Sequence, residues 1–381
     1  MIDFDIPVER RNTSSIKWDR YKGRNVIPMW LADMDFRSPR PVIKALLERV
    51  EHGIFGYTSA PEVLYETVID MLRREYDWKV HPEWLVWLPG LVTGLNLACH
   101  AFTAKGDGVM SAFPVYNPFL EAPRLAERRL VKVELKYENS RYELDYDGIE
   151  AACDDGVKMF ELCNPHNPVG RAFSLTELER LAEICLKHNM VISSDEIHCG
   201  LILDEDKRHI PIASIDPEIA ERSITMMAPS KTYNIPGLGC AFAVVPNREM
   251  RTELLRTMKG LVPFVNTLGF TAALAAFRDC GEWHAKLITY LRRNRDELEA
   301  FVASRPGIFM PHVEATYLGW VDVRELGLEQ AVAYFEDFGV GFSDGAGFGM
   351  PGFIRINFAC PHSQLKSALE MFDAGLANLN H

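Results

Sequence analysis

Seven short apolar runs punctuate the stretch from residue 85 to residue 245, and most are separated by turns or helical patterns. They fall at 85–88, 109–112, 130–135, 157–163, 191–194, 224–228 and 240–245. Continuous apolar strands that do not alternate with polar residues must be buried on both faces. Joined through helices, such strands build a mostly parallel sheet with helices on either side. Two helices are marked by their own residues. One follows the Pro89-Gly90 turn, from Leu91 to Phe102. The other opens at a capping box, Ser174-Leu175-Thr176-Glu177, and runs to about Lys187, with Leu178, Leu181, Ala182 and Cys185 at helical spacing.

Beyond residue 245 the pattern changes. Helices dominate from Arg248 to Ala303, then a strand (316–323), a helix, a strand (353–358) and a final helix follow. This is an α+β unit. A chain of 381 residues also exceeds the size at which one core usually stops growing, about 250–300 residues. The expected organisation is an N-terminal arm over 1–40 belonging to the smaller domain, a large α/β domain over 41–275, and a small α+β domain over 276–381. The arm is irregular and rich in Arg, Asp and Pro, so it reads as outside the core. Its Glu9-Arg10-Arg11 run reads as solvated or subunit-contacting. There is no internal repeat.

The net charge is −12, which argues against a polyanion partner and against anionic membranes. No apolar stretch reaches the roughly 18–20 residues that span a bilayer, and the first residues resemble no signal peptide. Eight cysteines form no C-x-x-C pair and sit mostly in apolar runs. Free thiols in a reducing, cytoplasmic setting are expected, with no metal site.

In an open parallel sheet, ligands collect at the C-terminal strand ends. Three successive strands end in unusual residues: Asn164-Pro165-His166-Asn167-Pro168-Val169-Gly170, then Asp195-Glu196-Ile197-His198, then Ser230-Lys231-Thr232-Tyr233-Asn234. An amide, a carboxylate and a lysine thus meet at one edge. A lone loop lysine is ordinarily just solvated. A lysine that attacks a carbonyl must instead be fixed and partly desolvated so that its amine is neutral. A buried carboxylate beside it can keep a pyridine nitrogen protonated, although Asp195 alone could equally be a helix N-cap. Arg355 lies in a half-apolar strand and needs a partner, either an internal carboxylate or, held bidentately, a substrate carboxylate.

The Asn-Pro-x-Gly turn, the Asp-Glu-x-His element and the Ser-Lys pair resemble class I/II, fold-type I enzymes that use pyridoxal 5'-phosphate (PLP). The intervals are similar too: 28 residues from Asn167 to Asp195, 3 to His198, and 33 to Lys231. The resemblance implies that Lys231 binds the cofactor covalently, Asp195 pairs with its ring nitrogen, and Asn167 donates to the ring 3-oxygen. It implies that Tyr116 stacks on the ring, that His198 is a further cofactor-site residue, and that Val92, Thr93 and Ser230 hold the phosphate. Arg355, with Asn167, would take the substrate carboxylate. Tyr57 would reach the phosphate of a neighbouring subunit, which implies a homodimer with a shared site.

Within that family, Leu31-Ala32-Asp33-Met34-Asp35-Phe36, His52-Gly53-Ile54-Phe55-Gly56-Tyr57 and Asn357-Phe358-Ala359-Cys360-Pro361 resemble MalY/PatB-type cystathionine β-lyases, or C–S lyases. His198 stands where aminotransferases usually carry tyrosine, and Gly239 where they carry a phosphate-binding arginine. His362 departs from the branch, which commonly has arginine there, and either alters the carboxylate end of the pocket or is neutral. The resemblance implies β-elimination from a small amino acid with a thioether, with Lys231 as base and Lys231 or Tyr116 protonating the departing thiolate. Transamination of an L-amino acid is the alternative. A regulatory role through protein contacts is a second one.

Overall fold

The computed structural model describes residues 2–154 and 156–379. Its largest sheet holds seven strands: β1 (Leu85–Leu88), β2 (Gly108–Phe113), β3 (Arg129–Glu134), β4 (Val157–Cys163), β5 (Val191–Asp195), β6 (Ser223–Met227) and β7 (Ala241–Val244). Their spatial order is β1-β7-β6-β5-β4-β2-β3. The pairs β2–β3, β2–β4, β4–β5 and β5–β6 are parallel, and β7 alone runs against its neighbours. This is the mostly parallel seven-stranded sheet that the apolar runs predict.

Helices cover both faces. On one, α1 (Leu91–Phe102) packs Leu91, Leu95 and Ala98 against Val109, Met159, Ile224 and Met226; α2 (Asn117–Leu125) adds Phe119 and Leu120. On the other, α3 (Leu175–Lys187) packs Leu178, Leu181 and Cys185 against Phe160, Leu162 and Ile192. The capping box of α3 is formed: Ser174 accepts from the Glu177 N–H, and Glu177 accepts from the Ser174 N–H.

The second unit is a three-stranded antiparallel sheet of β8 (Leu318–Asp322), β9 (Ser343–Asp344) and β10 (Phe353–Asn357), in the order β8-β10-β9. After α4 (Thr267–Asp279), the long helix α5 (Gly281–Ala303) and the last helix, α6 (His362–Leu379), complete its core, where Leu291, Ile354 and Phe372 share one cluster.

The N-terminal segment corrects one expectation. It is no peripheral arm: Phe4, Met29, Met34 and Phe36 are buried in that same cluster, and residues 27–28 pair in parallel with 340–341. Nor is Arg10 solvated. It binds Asp33 at 2.7 Å and Asp35 at 2.6 Å within its own chain. Lys17, which is fully buried, closes on Asp35 at 2.8 Å. Irregular backbone can be core when side chains satisfy its polar groups, and here they do.

All eight cysteines are free thiols. Among the described residues, no helix is long and apolar enough to cross a membrane and no cluster of metal-ligating side chains occurs.

Candidate active site

The C-terminal ends of β4, β5 and β6 open on a cavity of about 230 Å³. Asn167, Asp195, His198, Ser230, Lys231, Tyr116, Val92, Thr93 and Arg355 all line it. The fold therefore gathers every predicted site residue except Tyr57. Tyr57 is fully exposed and lines a separate groove with Phe55, Phe264 and Asn266.

The carboxyl of Asp195 ends β5 and is buried. One oxygen accepts the Ile197 N–H at 3.0 Å. Among the described residues it forms no ion pair. Burial raises its pKa to about 7, and the nearby Lys231 charge opposes the rise only in part. A carboxyl so placed is suited to a cationic hydrogen-bond donor.

Lys231, half-buried, donates to the Ala32 carbonyl at 2.6 Å. Burial lowers its amine to about 8, with the Arg355 charge adding to the fall and Asp33 and Asp195 opposing it. A neutral amine is thus accessible near neutral pH. His198 is buried, and its Nδ1 has no hydrogen-bond partner. Burial, then the Lys231 and Arg355 charges, hold its pKa well below the ordinary histidine value, so it is a neutral ring.

Arg355 projects from β10, in the second sheet. Its guanidinium donates to Asn167 Oδ1 at 3.0 Å, to the Trp30 carbonyl at 2.8 Å and to Ser343 Oγ at 3.3 Å. Its Nε is buried without a partner, and the charged end lies 4.6 Å from the Phe348 ring centre. Among the described residues, every hydrogen-bond partner is neutral. Burial lowers its pKa to about 10, so it stays charged at neutral pH. A buried cation held only by neutral acceptors is a receptor for an anion.

The opposite wall is built by backbone. Gly90 precedes α1 without any side-chain cap, which leaves the first N–H groups of the helix to face the cavity beside Thr93 and Ser230. Helix N-termini of this kind bind phosphate and carboxylate groups. Gly239 takes φ +57°, and a Cβ there would stand 3.2 Å from the Pro89 carbonyl. Tyr116 precedes α2 and is about a third exposed at the mouth of the cavity, with burial raising its hydroxyl pKa.

Two features escape a reading by residue type. The Leu31-Ala32 segment lines the cavity, although only its likeness to a family motif marks it in the sequence. Cys163 also lines it, directly beside Asp195 in the β4–β5 register. Conversely, His362 does not shape the cavity. Its Nδ1 stands 3.0 Å from Glu297, and it lies outside the lining.

The family model for aminotransferase class I and II matches residues 26–372. Cystathionine beta-lyase PatB of Bacillus subtilis (strain 168) is 37% identical over 388 residues, covering 99% of this chain and all of the relative. The crystal structure of OvoB superposes with a TM-score of 0.97 at 43% identity, covering 98% of this chain and 99% of that one. A PLP-bound C-S lyase from Staphylococcus hominis gives 0.93 at 31% identity, with coverage of 99% and 98%. With the matched model spanning nearly all of a chain whose strand ends converge on one lysine-bearing cavity, this protein belongs to the aminotransferase class I and II family.

Proposed function

We propose that the chain is a PLP-dependent carbon–sulfur β-lyase that cleaves L-cystathionine or a related cysteine thioether to a thiol, pyruvate and ammonia. The observation that carries this reading is three groups on one cavity: the buried carboxyl of Asp195, which has no ion-pair partner among the described residues, the depressed amine of Lys231, and Arg355, whose acceptors are the neutral Asn167, Trp30 and Ser343. The residues fit the cofactor. Lys231 is the covalent attachment point, Asp195 supplies the buried acceptor for the ring nitrogen, and the α1 N-terminus with Thr93 and Ser230 takes the phosphate. When bound, PLP supplies an electron sink for negative charge at the substrate Cα.

The chain's own groups do the rest. Arg355, steered by Asn167, grips the substrate carboxylate and fixes which Cα bond faces Lys231. The Lys231 amine, freed when the substrate amino group takes its place, would remove the Cα proton as general base. The Cβ–S bond would then break, Lys231 or Tyr116 returning a proton to the leaving thiolate, and the unsaturated amino acid that remains would take up one water to give pyruvate and ammonia. His198, neutral and buried, adds no competing charge. The names of PatB and of the staphylococcal C-S lyase support elimination over transamination.

The same reading makes the assembly a dimer. Ile54, Phe55, Tyr57, Leu261 and Phe264 expose large apolar surfaces, and Asn266 of that groove donates to the Leu238 carbonyl, next to the cavity residue Gly239. A second copy seated there would bring its Tyr57 towards the phosphate end.

Incubating the PLP-loaded protein with L-cystathionine and no oxo-acid tests the reading. Equal, sustained yields of thiol and pyruvate are expected, and Lys231→Ala should abolish both. Amino-acid-dependent conversion of the cofactor to its amine form, without pyruvate, would instead establish a transaminase.

A further inference from the structure

Five consecutive main-chain carbonyls, from Trp30 to Met34, each accept hydrogen bonds from side chains. Trp30 O receives Arg355 at 2.8 Å and Ser343 at 2.8 Å. Leu31 O receives Asn357 at 2.5 Å. Ala32 O receives Lys231 at 2.6 Å and the Tyr317 hydroxyl at 3.0 Å. Asp33 O receives Asn357 at 2.7 Å and Lys17 at 3.1 Å. Met34 O receives Asn234 at 3.0 Å and Arg10 at 3.1 Å. Loop backbone normally turns its carbonyls to water. Here alternate carbonyls serve different ends. Those of 30 and 32 meet the two cations of the cavity, while those of 31 and 33 are tied down by the single fully buried amide of Asn357.

We propose that residues 30–33 form a main-chain rack that sets Arg355 and Lys231 relative to each other, with Tyr317 as the positioning residue that tunes the Lys231 amine through the Ala32 carbonyl. The proposal rests on the lyase reading for the roles of Lys231 and Arg355. An amine that donates one N–H to a fixed carbonyl has its lone pair aimed away from that carbonyl, as a general base requires. The Ala32 oxygen carries two donors, one for each lone pair. Tyr317 therefore withdraws acceptor strength that would otherwise favour the ammonium form of Lys231. Tyr317 has no freedom to drift. It is fully buried, its ring meets the edge of His198 at 6.0 Å, and the preceding residue, Thr316, is held at φ +74°. A β-branched residue in that region is strained and persists only where its surroundings impose it. The other charges acting on the amine are those of Arg355, Asp33 and Asp195; removing the Tyr317 hydroxyl deletes none of them, although Arg355 and Asp33 also lie within its electrostatic reach.

The test is the pH dependence of covalent cofactor uptake by the full-length protein stripped of PLP, trapped with borohydride. Only the neutral amine reacts, so the midpoint reports Lys231. Tyr317→Phe removes the hydroxyl and keeps the ring. Its midpoint should rise by about half a unit, slowing uptake at neutral pH by roughly threefold. In the loaded enzyme the acid limb of kcat should move the same way, with KM within about twofold because Arg355 keeps the Trp30 carbonyl. An unchanged or lowered midpoint overturns the proposal. If the Phe variant does not fold, Tyr317→Met, also without the hydroxyl, carries the same test. Lys231→Ala must show no trapping in parallel. Trapping in that variant would sink the lyase reading itself, a failure separate from that of Tyr317.

Discussion

Asp195 holds its proton to about pH 7 because it is buried with one backbone donor and no ion-pair partner among the described residues. In the unfolded chain an aspartate loses its proton near pH 4. Between these values the folded protein binds the extra proton, so its stability falls as pH rises through that window. Without cofactor, Asp195→Asn should therefore be more stable than the native chain above pH 7, by on the order of a few kcal/mol. The advantage should shrink on acidification and vanish below about pH 4. Thermal melts of both stripped proteins from pH 4 to 8 check this, and a gap independent of pH would mean the carboxyl finds a partner. At this scale the sequence is informative about identity and silent about charge state. The residues Asn167, Asp195 and Lys231 are legible because each ends a recognisable strand. That Arg355 has no carboxylate partner among the described residues is not legible, since any of 53 acidic residues could have paired with it.

Elements divide the same way. The helix Leu91–Phe102, the strand Val157–Cys163 and the helix Leu175–Lys187 end where the sequence marks them, because caps and turns are local chemistry. The N-terminal segment has no periodicity, and its order comes from polar contacts within the segment together with partners far along the chain. Asp35 shows this: it accepts from Arg10, Lys17, Trp18 and Gln364. Burial pushes the Asp35 carboxyl up, but Lys17, Trp18 and Arg10 outweigh it and hold it below the usual carboxylate range. Its contribution to stability is thus present above the unfolded pKa and lost as pH falls through the folded one. Asp35→Asn leaves Lys17 buried beside a neutral amide. It should cost about 3–5 kcal/mol near neutral pH, seen as a lowered denaturant midpoint, with the gap to the native chain closing in acid. A surface-like cost below about 1 kcal/mol would show that the segment is not integral to the core.

For the whole molecule, the cavity joins contributions from both sheets, Arg355 from β10 and Asp195 from β5, with the Leu31-Ala32 segment of the N-terminal stretch. Tyr57 is the piece left outside, fully exposed among other apolar side chains. A contiguous patch of that kind marks an interface, and a twofold dimer puts the same patch on both partners. If Tyr57 completes the site of the other subunit, two crippled chains can rescue each other. A Lys231→Ala chain still carries Tyr57, and a Tyr57→Ala chain still carries Lys231. In their hybrid, one site has both defects and the other has none. Random mixing makes half the dimers hybrid, so activity should recover to about a quarter of native. The measurement is pyruvate release before and after the two purified variants are unfolded and refolded together. Recovery near that level locates Tyr57 across the interface. A mixture no more active than the average of its parts would place the action of Tyr57 within its own chain and remove the reason for a shared site.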